Sequence, residues 1–185
     1  MYEVVLKSLE GHIAADSKEA NDLRTIRRDL HGGPCRFGQG NAQAHLTGSA
    51  FVLDKHGRLL MTFHRKLSRW LQLGGHSEHS EYDLADTAMR EAREESGLAD
   101  LIFHPAFGNR LLDVDIHSIP ARKHIVAHEH WDFRYVFLTQ NPDRIKLSEE
   151  STDLRWFTLT EVLGLSLDPS TERAIDKLST GLDLK

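Results

Sequence analysis

An α+β fold, with helices layered on a mixed sheet, is what this sequence predicts, and three observations predict it. Apolar residues recur at helical spacing in some segments and alternate with polar ones in others. Those segments follow one another without the regular strand–helix–strand order of a parallel sheet. Finally, 185 residues, 39% of them hydrophobic and 28% charged, suffice for one full core and leave little for a second.

Tyr2, Val5, Leu6, Leu9 and Ile13 follow the i, i+3, i+4, i+7 rhythm of a helix, and Ala20, Leu23, Ile26 and Leu30 repeat it. His31-Gly32-Gly33-Pro34 stops the second helix, and residues 38–41 read as loop. Residues 1–43 are therefore expected to form an N-terminal helical extension, with the main domain spanning 44–185. Residues 45–53 and 58–63 flank a turn at Lys55-His56-Gly57, the pattern of a hairpin. A short strand-like segment at 70–73 leads into Gly74-Gly75, expected as a loop. Residues 83–95 hold good helix formers throughout, with Gly97 as a stop and Ser80 with Asp83 as a capping start. Strands are expected at 101–107 and 111–116, and most clearly at 130–138. There Trp131, Phe133, Tyr135 and Phe137 take one face and His130, Asp132 and Arg134 the other. A last strand at 154–159 precedes closing helices at 160–165 and 170–178.

Composition excludes several classes of function. No apolar run reaches the length of a bilayer span, so no membrane association is expected. The opening MYEVVLKSLEGH lacks the basic and apolar regions of a secretory signal, which predicts a cytoplasmic protein. Cys35 is the single cysteine, so there is neither an internal disulfide nor a cysteine-based zinc cage; it is expected to be a small structural residue and not a nucleophile. A net charge of −5 without a dominant Lys/Arg cluster argues against nucleic acid as a partner. A small anionic ligand stays compatible with that charge if a cation bridges the two.

One segment asks for such a cation. After the glycine pair comes a helix ending Arg90-Glu91-Ala92-Arg93-Glu94-Glu95. At about 100° per residue, Glu91, Glu94 and Glu95 share one arc, beside the apolar arc of Leu84, Ala85, Ala88, Met89 and Ala92. Carboxylates at the edge of a buried stripe repel one another in lowered dielectric. A hard divalent ion relieves this by accepting their oxygens. Arg90 stands at i, i+4 spacing to Glu94, and the glycines allow close backbone approach to a ligand. The plainer reading is a solvated helix of alternating charges, and spacing alone does not separate the two.

The string itself goes further. Gly75 followed by Arg90-Glu91-Ala92-Arg93-Glu94-Glu95-Ser96-Gly97-Leu98 resembles the Nudix box, whose second half reads R-E-aliphatic-x-E-E-x-G-aliphatic. All fixed positions of that half are met. The spacing from Gly75 to Arg90 is one residue longer than the family's usual pattern, so Glu81 keeps the expected distance from Gly75 while Tyr82 keeps it from Arg90. An insertion within the helix would pull Leu84 and Ala85 off the apolar arc, so the extra residue is expected in the loop at 77–82. The resemblance extends over roughly residues 44–165 and includes the closing strand before Phe157. It implies a Nudix-like α/β/α sandwich with a mixed β-sheet, preceded here by the N-terminal helices.

The resemblance also implies a chemistry: metal-dependent hydrolysis of the pyrophosphate bond in a nucleoside diphosphate linked to another moiety. Glu91, Glu94 and Glu95 would ligate Mg2+ or Mn2+ with the Gly75 carbonyl, and Arg90 would hold the acids in place. Glu150, or less favourably Glu149, is the distal candidate for taking a proton from water, against the reading of a solvated loop acid. Arg65 and Lys66 are candidates for substrate phosphate. Trp70 has two readings, stacking on a base or core packing. His130, with His128, Asp132 and Arg134, either lines a substrate cleft, binds a second metal or forms a polar outer strand face. Two other functions share the motif's surroundings: a Nudix-fold module that senses a nucleotide without turnover, and an isoprenoid diphosphate isomerase, disfavoured because Cys35 lies far upstream of the box. The N-terminal helices are candidates for a homodimer surface.

Overall fold

A strand buried on both faces must be covered twice, and residues 44–54 are such a strand. In the computed structural model, which describes residues 2–32, 43–78, 80–121, 126–149 and 151–183, β1 (Ala44–Asp54) is buried at all 11 positions. Ala44, Leu46, Ala50 and Val52 enter one apolar cluster and Phe51 and Leu53 the other. β2 (Leu59–His64) returns antiparallel through the expected hairpin, with Leu53 opposite Leu59. β3 (Arg69–Leu71) pairs with β2.

The glycine pair is not a loop. β4 (Leu73–His76) contains it and lies antiparallel to β1, with Gly48 opposite Gly75 and Ser49 opposite Gly74. The missing side chains explain the error: glycine weakens the sequence signal for a strand, yet here it is what lets the strand lie under a helix.

That helix is α3 (Leu84–Ser96). Its N-cap is Asp83, whose Oδ1 accepts from the Ala85 N–H at 2.9 Å, so Ser80 is not the cap. The backbone turns helical only at Leu84, leaving the extra residue of the spacing in the preceding loop as expected. Gly97 ends α3 at φ 70°, and its N–H donates to the Arg93 carbonyl at 2.8 Å. The strand expected at 101–107 shortens to β5 (Ile102–Phe103), because residues after it turn back through bonds from Phe107 and Gly108 N–H to the His104 carbonyl. β6 (Asp113–Ile119) and β7 (His128–Thr139) pair antiparallel, while β7 runs parallel to β1 from Ala44 opposite Glu129 to Asp54 opposite Thr139. β8 (Ser151–Phe157) pairs with β2. The sheet is thus mixed.

Helices cover both faces. α1 (Tyr2–Ser8), the turn residue Leu9 and α2 (Ser17–Gly32) contribute Val5, Leu9, Leu23, Ile26 and Leu30 to the cluster that α3 and the Trp131, Phe133, Tyr135, Phe137 row complete. Ile13 does not join it and is 84% exposed, since α1 ends at Ser8 and Gly11 turns the chain with φ 72°. α4 (Leu159–Leu163) and α5 (Pro169–Asp183) cover the other face through Val162, Ala174, Ile175 and Leu178. Burying about 30 large apolar side chains at roughly 1.5–3 kcal/mol each supplies the driving force.

The polar row of β7 is not an outer face. Asp132 and Arg134 are buried, and Arg134 donates to Asp132 at 2.9 Å, to Asp113 at 3.2 Å and to the Ser170 carbonyl at 2.8 Å. Arg173 adds two bonds to Asp113 at 2.8 Å, and Lys177 joins Asp113 to Glu19 on α2. Alternation assigns such residues to solvent; full pairing is what allows them inside, and removing one partner of a pair like this costs on the order of 3–5 kcal/mol. Cys35, the loop at 38–41, the Gly33-Pro34 stop and Glu150 lie outside the described residues. No helix among the described residues is long and apolar enough to cross a membrane.

Candidate active site

The C-terminal half of α3 crosses β4 at its glycines, and the crossing brings five of the expected residues together. A Cβ built on Gly75 would stand 2.5 Å from Glu91 Oε1 and 2.6 Å from Oε2, so the Glu91 carboxylate occupies the space the glycine leaves. The Gly74 N–H donates to Glu95 Oε2 at 3.0 Å. Arg90 forks across the group: Nη1 donates to Glu91 Oε1 at 2.8 Å and to Glu94 Oε2 at 3.1 Å, and Nη2 to the His76 carbonyl at 2.9 Å. Glu91 is half-buried, while the Glu94 side chain is 60% exposed. This matches the edge of the apolar stripe.

Glu81 fixes the guanidinium from the other side. Its Oε1 accepts from Arg90 Nε at 2.8 Å and its Oε2 from the Thr87 hydroxyl at 2.7 Å and the Glu78 N–H at 2.8 Å. Burial alone would push the Glu81 carboxyl up, but these bonds outweigh it and hold it below the usual carboxylate range. Glu81 is thereby an ionised partner of Arg90, on the opposite edge of the guanidinium from its bonds to Glu91 and Glu94.

The arrangement suits a hard cation. Three carboxylates and a strand backbone offer only oxygen donors, Arg90 holds two of the carboxylates in register, and the missing side chain of Gly75 admits the Glu91 carboxylate against β4. An arginine alone cannot neutralise three acids.

The other expected residues fall elsewhere. Arg65 and Lys66 are exposed in the turn between β2 and β3, with Arg65 Nη2 donating to the Ser151 carbonyl at 3.2 Å. Trp70 packs edge-on between Phe63 at 5.3 Å and Phe157 at 4.8 Å, under the Arg155 guanidinium, which favours its packing reading. His130 faces away from α3, within a cluster that also includes His45, His76 and His128. Burial first, then the neighbouring imidazoles, pull His130 down to about 3 and lower His76 as well, which favours the neutral forms of both rings. Sequence reading missed His45 and His76, because they come from different strands and no spacing links them.

Comparison with known proteins bears on the family and the fold. A family model described as NUDIX domain matches residues 44–178. Comparison with curated proteins returns no match. Among solved structures, an Ap4A hydrolase of C. elegans in a binary complex is similar at 19% identity and TM-score 0.55, covering 76% of this chain and 99% of that one. A NUDIX family hydrolase from Clostridium perfringens is similar at 27% identity and TM-score 0.50, covering 77% and 98%. The NUDIX domain of Shewanella oneidensis NrtR, complexed with ADP ribose, is similar at 16% identity and TM-score 0.52, covering 77% and 90%.

Proposed function

The chain belongs to the Nudix family, and from that premise we propose that it is a divalent-metal-dependent pyrophosphohydrolase acting on a nucleoside diphosphate linked to a further moiety. The observation that carries this reading is the packing of Glu91 and Glu95 against the glycines of β4, with Arg90 joining Glu91 to the exposed Glu94. The domain at 44–185 carries the chemistry, and residues 1–43, with α1 and α2, extend it at the N-terminal side.

Glu91, Glu94 and Glu95, with the Gly75 carbonyl, would hold Mg2+ or Mn2+. When bound, the ion neutralises the phosphate oxygens and orients water for in-line attack. The water oxygen joins one phosphorus, the bridging P–O bond breaks, and two phosphate products leave. The water proton passes to a carboxylate, either one of the box glutamates or Glu150. Arg90 keeps Glu91 and Glu94 positioned through the step, and Glu81 keeps Arg90. Arg65 and Lys66, exposed beside the β2–β3 turn, meet the substrate's remaining phosphate charge. The substrate is a small molecule and not a polymer, consistent with the acidic net charge of −5.

Hydrolysis of a panel of nucleoside triphosphates, dinucleoside polyphosphates, nucleotide sugars and ADP-ribose, with Mg2+ and with Mn2+, tests the proposal. Metal-dependent release of a nucleoside monophosphate or phosphate supports it. Binding of a nucleotide without product under both metals would establish the sensing module instead.

A further inference from the structure

Five histidines from four strands gather on the face of the sheet turned away from α3. The register places His45 of β1 and His117 of β6 directly on either side of His130 in β7, while His76 of β4 lies opposite Thr47, two residues along β1 from His45. His128 precedes His130 by two residues and shares its face. Ring centroids lie 4.4 Å apart for His45 and His128, 4.7 Å for His76 and His130, and 5.1 Å for His45 and His76.

We propose that His45, His76 and His130 form a binding site for a borderline divalent ion of the Zn2+ class, separate from the glutamates of α3. One ligand nitrogen from each of the three lies within 4.8 Å of the other two. The His76 and His130 Nε2 atoms are 3.1 Å apart. Two imidazole nitrogens on one tetrahedral ion, each about 2.0–2.1 Å from it, stand roughly 3.3–3.4 Å apart, so the observed separation is close to an edge of such a coordination sphere. The donor set is nitrogen only, which suits Zn2+, Co2+ or Ni2+ and not Mg2+.

Hydrogen bonding among the rings does not account for this convergence. His128 Nδ1 donates to the Val126 carbonyl at 2.9 Å, so in its neutral form its Nε2 presents a lone pair, 3.2 Å from His130 Nε2. His130 Nε2 also faces His76 Nε2. It has one proton at most to place between two neighbours, so at least one contact lacks a full hydrogen bond. A cation among the nitrogens resolves the conflict. Three protein ligands leave a fourth position for water or another ligand.

The site has a structural consequence. His76 belongs to the strand that bears Gly75, and its carbonyl accepts from Arg90. An ion joining His76 to β1 and β7 would clamp β4 from below while α3 holds it from above. The inference does not rest on the hydrolase reading, since its donors and its face are different.

The test uses the full chain freed of metal by chelation, then titrated with Co2+ alone and Zn2+ alone in a background of saturating Mg2+. Expected are one tightly bound equivalent, a visible Co2+ spectrum of low-coordinate nitrogen ligation, and a Zn2+-dependent rise in melting temperature, all retained in Glu95→Gln. His45→Gln and His130→Gln should each bind Co2+ at least the roughly 100-fold more weakly that loss of even a supporting residue can cost. The proposal is overturned if wild-type protein takes up no Co2+ over Mg2+ and shows no Zn2+-dependent melting shift. It is equally overturned if uptake survives in both histidine variants or disappears in Glu95→Gln. Loss of hydrolysis in Glu95→Gln with Co2+ uptake intact separates this site's fate from that of the hydrolase reading.

Discussion

Replacing Gly75 with alanine adds one methyl group at the point where β4 meets the Glu91 carboxylate. The new Cβ would stand 2.5 Å from Oε1 and 2.6 Å from Oε2. Ordinary contact needs about 3.5 Å, so the carboxylate must retreat by about 1 Å. Glu91 is the end of a flexible side chain, and its retreat costs little folding energy. A catalytic group displaced by about 1 Å, by contrast, can cost roughly 100-fold in rate. Gly75→Ala should therefore lose about two orders of magnitude in kcat at saturating Mg2+ while its melting temperature stays near wild type. Gly48→Ala provides the contrast. Its Cβ would meet backbone atoms, the Leu84 carbonyl at 2.6 Å and the Ala88 nitrogen at 2.7 Å, and so should destabilise the fold. Steady-state hydrolysis and thermal melts of both variants decide the matter. A Gly75→Ala protein with wild-type kcat, or one that unfolds as readily as Gly48→Ala, would refute the reasoning.

Further outcomes follow from the same contacts. Glu94→Gln and Glu95→Gln should each lower turnover by at least about 100-fold with the fold intact, because each removes a charge from a repelling cluster; circular dichroism and kinetics measure both. Glu81→Gln should be milder than Glu95→Gln, since Arg90 keeps Glu91, Glu94 and the His76 carbonyl; equal inactivity of the two variants would place Glu81 among the ligands. Millimolar Mg2+ should raise the melting temperature relative to EDTA, by about 2.7 kcal/mol of stability at 100 times Kd. Acid should unfold the protein through Glu19. Burial pushes its carboxyl up, but bonds from His12, Lys177 and the Ala15 N–H hold it well below the usual range. The unfolded chain then binds the extra proton, so this stability is complete above the unfolded value near pH 4 and declines as pH falls below it. A Glu19→Gln variant with an unchanged acid midpoint would contradict this.

Much of the site was legible because it lies in one helix. Glu91, Glu94, Glu95 and Arg90 are held within two turns, where 3.6-residue geometry converts spacing directly into position. The hairpin of β1 and β2 and the aromatic face of β7 were legible for the same reason, since local periodicity reports which side chains share a face. Gly75 was named as a site residue yet assigned to a loop, because nothing local tells a glycine in a strand from one in a turn.

What the sequence by itself determined is therefore the family, the acidic helix and the alternation of buried rows, all encoded over short stretches. The tertiary structure alone decided three things. It made the polar row of β7 an interior network, because Thr47 and Ser49 of β1 pair Asp132, Asp113 pairs Arg134, and Arg173 and Lys177 arrive from α5 to pair Asp113. It assigned Glu81 to Arg90, across nine residues of loop and helix. And it gathered His45, His76 and His130 from three strands, a convergence that depends on sheet register, which no spacing along the chain records.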